Sequence, residues 1–129
     1  MCPVYYGLMD TKHENLNSVI AAFDTIDAAV TICDRDFIVL YMNGKSAASF
    51  ASEGGAALVG SNLTACHKPA SVAIMRKILA SGEPNIYTIS KQGRKKFIWQ
   101  GVWKNKGEIG GLVELSMQIP ELMPHFDRG

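Results

Sequence analysis

The last third of the chain constrains the fold most. Between Asn85 and Ile119, three runs rich in β-branched, aromatic and other apolar residues are separated by two short breaks that contain glycine. "NIYTISK" (85–91) leads to a turn at "QGR" (92–94). "KKFIWQGVW" (95–103) leads to "KNKGE" (104–108), and "IGGLVELSMQI" (109–119) stops at Pro120. Strand-like runs joined by short glycine breaks form hairpins. The region therefore predicts a three-stranded antiparallel meander. Breaks this short cannot hold the crossover that parallel strands need.

Upstream the period changes. From His13 to Ile26 the apolar residues are Leu16, Val19, Ile20, Phe23 and Ile26. Spacings of three and four mark one face of an amphipathic helix. Residues 1–12 read as a flexible lead-in. "AAVTICD" (28–34) and "FIVLYMN" (37–43) read as two short strands around an acidic turn at "DRD" (34–36), with Asn43-Gly44 stopping the second. "KSAASFA" (45–51) predicts a short helix, "SEGGAA" (52–57) a loop and "LVGSNL" (58–63) an apolar-glycine corner. The clearest helix follows "CHKP". Ser71 serves as its N-cap, Val72, Ile74, Met75, Ile78 and Leu79 form its apolar stripe, and Gly82 with Pro84 ends it. The sum is an α+β architecture: a five-stranded antiparallel sheet with short helices on one face and an amphipathic flanking helix before it.

The 129 residues suit one domain. It is placed at 13–119, with 120–129 as a C-terminal tail or the start of a linker. A net charge of +1 gives no argument for nucleic acid or an anionic membrane as a direct partner. The basic run "KQGRKK" (91–96) lacks repeated aromatics and reads as a solvated turn. No apolar run reaches the ~20 residues of a membrane span. Three widely spaced cysteines, Cys2, Cys33 and Cys66, offer no zinc-ligand spacing. With no secretory leader in "MCPVYYGLMD", they are read as free thiols in a cytoplasmic, reducing setting.

Four stretches, in this order and spacing, resemble the PAS domain, a small sensory module: "IDAAVTICDRDFIVLYMN", "LVGSNL", "ILASGEP" and "GEIGGLVELSMQI". The resemblance covers about Leu16 to Ile119. It implies a PAS-like sheet in strand order 2-1-5-4-3, with ligands held between the central helix and the inner face of the sheet. It further implies a regulatory rather than enzymatic role, such as transcription regulation. "CH-x-P" before the central helix resembles one bacterial subgroup. On this resemblance the candidate ligand-binding residues are His67, Cys66, Met75, Tyr87, Trp99, Trp103, Val113 and Leu115. The flanking helix has two readings. It covers its own sheet, or it forms a homodimer interface through Leu16, Val19, Ile20 and Phe23. An attached effector domain or partner protein would take the output.

The adjacent Cys66 and His67 invite three chemical readings. Neighbours in sequence do not ordinarily face each other, and no acidic orienter is recognisable, so a Cys66 nucleophile with a His67 base is poorly supported. Haem ligation by His67 is the alternative functional reading. It departs from haem-binding relatives, whose ligand resembles one on the central helix itself, whereas "VAIMRKIL" has no histidine. The favoured reading is a histidine that hydrogen-bonds a nearby carbonyl and fixes a loop corner. A photoreactive flavin is not expected, because the cysteine motif of light-sensing relatives is absent.

Side-chain alternation puts Phe97, Trp99, Gly101 and Trp103 on one face of their strand and Ile98, Gln100 and Val102 on the other. Parity does not say which face looks inward. In the last strand, Ile109, Gly111, Val113, Leu115 and Met117 are expected to share a face, with Glu114 and Ser116 turned to a partner or solvent. Gly110 and Gly111 suggest close approach or a bulge.

Overall fold

The computed structural model describes the main chain from Val4 to Gly129 and side chains from His13 onward. The elements are α1 (Val4–Thr25), β1 (Ala29–Asp34), β2 (Val39–Met42), α2 (Gly44–Ser49), α3 (Pro69–Ser81), β3 (Asn85–Lys91), β4 (Arg94–Asn105) and β5 (Glu108–Gln118). Three short 3-10 turns (Ala51–Glu53, Gly55–Leu58 and Leu63–Ala65) lie between α2 and α3. The strands form one antiparallel sheet ordered β2-β1-β5-β4-β3. Fold class, strand order and the C-terminal meander are as expected.

Three boundaries differ from the sequence reading. Helix α1 begins at Val4, so most of the expected lead-in is helical. Residues 1–3, Cys2 among them, lie outside the described residues. Strand β2 begins at Val39 rather than Phe37. The Asp34 side chain accepts hydrogen bonds from the amides of Asp36 and Ile38, at 2.9 and 3.0 Å. That turn carries Phe37 to φ 63°, a costly conformation for a bulky residue. Burial of the ring and the Arg76 guanidinium 5.3 Å from its centroid offset the cost. The N-cap of α3 is Lys68 rather than Ser71, because Pro69 occupies the first helical position, where its fixed φ suits the turn and its missing N–H is not needed. Gly82 ends α3 in the left-handed conformation, as expected.

Asn43 ties the N-terminal elements together. Its side-chain oxygen accepts from the amides of Val30 and Ser46, both at 3.0 Å. Its amide group donates to the carbonyls of Phe23 (2.8 Å) and Ala28 (2.7 Å). One buried side chain thus joins the end of α1, the start of β1 and the first turn of α2. Tyr41 donates to the Asp24 carboxylate, so the C-terminal end of α1 is held at two points, and Lys45 pairs with Asp27 in the link to β1 at 2.7 Å.

The core lies between α3 and the sheet, built from Cys33, Phe37, Met75, Ile78 and Leu112 with Leu63, Leu79 and Val102 around it. Among the described residues, helix α1 does not lie over the sheet. Its principal packing partner is α2, and Leu16, Val19, Ile20 and Phe23 are 45–55% exposed. After Gln118 the chain has no regular structure, and Leu122, Met123 and Phe126 are exposed. Among the described residues no helix is long and apolar enough to cross a membrane.

Candidate ligand-binding site

A cavity of about 520 Å³ opens between α3 and the inner face of the sheet. Its helix-side wall is mostly apolar: Leu63, Ile74, Met75 and Ile78, with Phe50 nearby and His67 and Ser71 at the start of α3. Its sheet-side wall carries polar groups. Asn85 on β3 pairs with Gln100 on β4, Gln100 pairs with Glu114 on β5, and Glu114 pairs with Thr31 on β1. Residues paired across strands share a face. The four therefore form one polar row across the sheet, and all four line the cavity.

Hydrogen bonds fix the orientations in this row. Asn85 donates to Gln100 Oε1 at 3.0 Å, which leaves the Gln100 amide to donate to Glu114 Oε2 at 2.7 Å. The Tyr87 hydroxyl lies 3.5 Å from the same Gln100 nitrogen. Burial, reinforced by the Glu114 carboxylate, pushes the Tyr87 phenol above its ordinary pKa. At the other end of the row, the Thr31 and Ser46 hydroxyls are 2.5 Å apart and buried. Burial also raises the Cys33 thiol, which lines the cavity floor.

A bulge in the β4–β5 hairpin creates this row. Trp103 pairs with Gly111 while Lys104 pairs with Ile109, so Gly110 has no partner on β4. One extra residue reverses the facing of everything beyond it. Ile109 and Gly111 consequently do not share a face, and Glu114 turns toward the cavity rather than toward solvent or a partner.

The structure divides the sequence candidates. His67, Met75 and Tyr87 line the cavity, and Val113 borders it between Leu112 and Glu114. Trp99, Trp103 and Leu115 do not. Trp99 pairs with Leu115, alternating with the inward Ile98 and Gln100, so both sit on the opposite face of the sheet. Trp99 lies over Gly101, where an added Cβ would fall 2.2 Å from its ring, and Trp103 lies over Gly110 in the same way. Cys66 is exposed and outside the lining. Its sulfur is 3.9 Å from His67 Nδ1, but that nitrogen donates to the Leu63 carbonyl at 2.8 Å. Cys66 therefore has no base in place, and His67 forms the loop-fixing bond expected of it. Among the described residues no three His, Cys, Asp or Glu side chains cluster as metal ligands.

Sequence reading missed Asn85, Gln100, Glu114 and Thr31. Alternation alone set Gln100 apart from the tryptophans, and that was the available signal.

A layered α+β domain with a half-apolar cavity under its central helix is the class these features define. No protein-family model and no curated protein matches the chain. Among solved structures, it is similar to the PAS domain of a protein from Colwellia psychrerythraea, with TM-score 0.60 and 15% identity over 81% of this chain and 96% of that one. The Aer2 receptor of Vibrio cholerae, a dual PAS-heme oxygen sensor, gives TM-score 0.56 and 19% identity over 72% of this chain and 95% of that one. VqmA of Vibrio cholera, in a complex with ligand and DNA, gives TM-score 0.62 and 12% identity over 79% of this chain. The match spans half of that VqmA chain. The chain has the PAS fold.

Proposed function

We propose that this chain is a non-enzymatic sensory module whose cavity takes a small molecule and whose helix α1 passes the event on. The cavity carries the reading: its volume falls in the range of small-molecule sites, and it sets a few oriented polar groups against an apolar wall. The fold it shares with a heme oxygen sensor and with ligand-bound VqmA supports the same reading. Residues 13–119 form the sensing unit, and 120–129 lead toward an effector domain or protein, with transcription regulation as one output and the cytoplasm as the setting. Leu16, Val19, Ile20 and Phe23 make the homodimer interface, since their stripe is solvent-facing and not spent on the sheet. The element that shifts is the α1 junction, where Ser46 touches both Thr31 of the cavity row and Asn43, which holds α1.

Native mass spectrometry of the freshly purified chain tests the reading. A small molecule bound once per protomer, and absent from Met75→Trp, whose larger ring grows into the cavity, is the expected result. Equal retention in both proteins would place the ligand elsewhere.

Haem is the second reading, favoured by one observation. With Nδ1 donating to Leu63, His67 Nε2 remains for an iron. The lining fits haem only in part, because among the described residues it contains no Lys or Arg to meet the propionates and turns a carboxylate inward. A Soret band in the purified protein that His67→Ala abolishes would decide for haem.

A further inference from the structure

We infer that the cavity selects a ligand with an apolar body and a cationic or N–H-bearing nitrogen head, and that Glu114 receives that head. This rests on the cavity being a ligand site and adds the class of ligand. The bulge at Gly110 turns Glu114 inward. Oε2 of its carboxylate accepts from Gln100, whose own carbonyl is engaged by Asn85, so the amide cannot flip without breaking two bonds. Oε1 has no hydrogen-bond partner among the described residues and belongs to a side chain that lines the cavity. An ionised carboxylate only accepts hydrogen bonds, and its bonds to charged or N–H donors are the strong ones.

The charge inventory points the same way. Among the described residues no Lys or Arg lines the cavity, so an anionic ligand would meet the Glu114 carboxylate with no fixed cation beside it to offset the repulsion. In the uncharged His67 ring, Nδ1 is the donor to Leu63, which leaves Nε2 as a second acceptor. The facing wall of Leu63, Ile74, Met75 and Ile78 offers burial and no polar partner in its side chains. An amphipathic amine or N–H heteroaromatic matches both walls, whereas a carboxylate or phosphate ester matches neither the charge nor the acceptor pattern.

The test uses the full chain and three probes of one shape: phenylbutylamine, phenylbutanol and phenylbutyrate. Affinity is read by titration calorimetry, and location by amide chemical-shift changes around Met75 and Glu114. Binding of the amine at least about tenfold tighter than the butyrate on the wild-type chain is expected. Glu114→Gln, which keeps the acceptor for Gln100, should erase that preference, whereas the exposed control Glu53→Gln should keep it. Because the preference is first read on the wild-type chain, the result does not depend on the variant folding. Butyrate binding in the cavity as well as the amine would overturn the ligand class and leave the cavity reading standing. A preference that survives in folded Glu114→Gln would overturn the role of Glu114. No saturable shift at cavity amides with any probe would overturn both this inference and the cavity reading.

Discussion

The indole Nε1 of Trp103 donates to the main-chain carbonyl of Cys33 at 2.9 Å, reaching across the glycine pair of β5 to β1. Cys33 lines the cavity on one face of the sheet, and Trp103 lies on the other. The bond ties β4 to β1 over the bulge that aims Glu114. Trp103→Phe removes the donor and part of the ring that covers Gly110. A loss of about 1–2 kcal/mol in urea unfolding is expected. An unchanged midpoint would show that the bond contributes nothing net.

Gly111 and Gly101 should respond differently to alanine. A Cβ at Gly111 would sit 1.9 Å from the Cys33 oxygen and 2.7 Å from Asp34 Cα, both main-chain atoms that cannot step aside. A Cβ at Gly101 meets only the far edge of the Trp99 ring, which can rotate away. Gly111→Ala is expected to cost about 3 kcal/mol or more, or to prevent folding, and Gly101→Ala less than half as much. Thermal melts of the two variants side by side check the order, and equal losses would contradict the packing described.

These glycines also mark the limit of what could be read from the residues. The meander, the strand order implied by the PAS resemblance and the central helix were legible, because periodicity and turn residues act locally. Simple counting back from a two-residue turn at Lys106-Gly107 would set Gln100 opposite Val113. The bulge moves the pairing by one, to Glu114. Nothing in "GEIGGLVE" states which glycine is the extra residue. The inward carboxylate of Glu114 was therefore not legible, although alternation alone set Gln100 apart from the tryptophans. The two tryptophans, candidates for ligand contact in the sequence, lie away from the cavity. Their size instead fills space above glycines on the outer face.

Tyr41 supplies a pH prediction. Burial, with the Asp24 carboxylate that accepts its hydrogen bond, pushes its pKa up to about 12. A folded pKa above the unfolded value near 10 means the contribution is fully present below about pH 10 and is lost as pH rises toward about 12. Deprotonation removes the donor and sets two negative charges together at the end of α1. Stability should therefore fall between about pH 10 and 12 more steeply in the wild type than in Tyr41→Phe. Parallel urea titrations at several alkaline pH values check this. Superimposable profiles would mean that the pair is not coupled to folding.

The stripe on α1 predicts an oligomer. Four large apolar residues, about half exposed on a helix fixed at one end, suit pairing with a second copy. Val19→Asp with Phe23→Asp should convert a dimer to a monomer in light scattering. Unfolding of the sheet should change by less than about 1 kcal/mol, because neither side chain belongs to the core. A wild-type chain that is monomeric at high micromolar concentration would refute the interface.

Asn43 should be the most costly polar residue to replace. It is 1% exposed and makes four hydrogen bonds, to Phe23, Ala28, Val30 and Ser46. Removing the side chain strands two buried donors and two carbonyls at once, so Asn43→Ala is expected to cost about 3 kcal/mol or more. Asn43→Asp separates the two halves of the network: it keeps the acceptor for Val30 and Ser46 but turns an oxygen against the Phe23 and Ala28 carbonyls. Its loss should therefore appear first at the α1 end. Amide exchange near Ala28 should quicken while that of α3 and β4 is unchanged. Uniform acceleration across the sheet would show instead that Asn43 supports the whole domain rather than the attachment of α1.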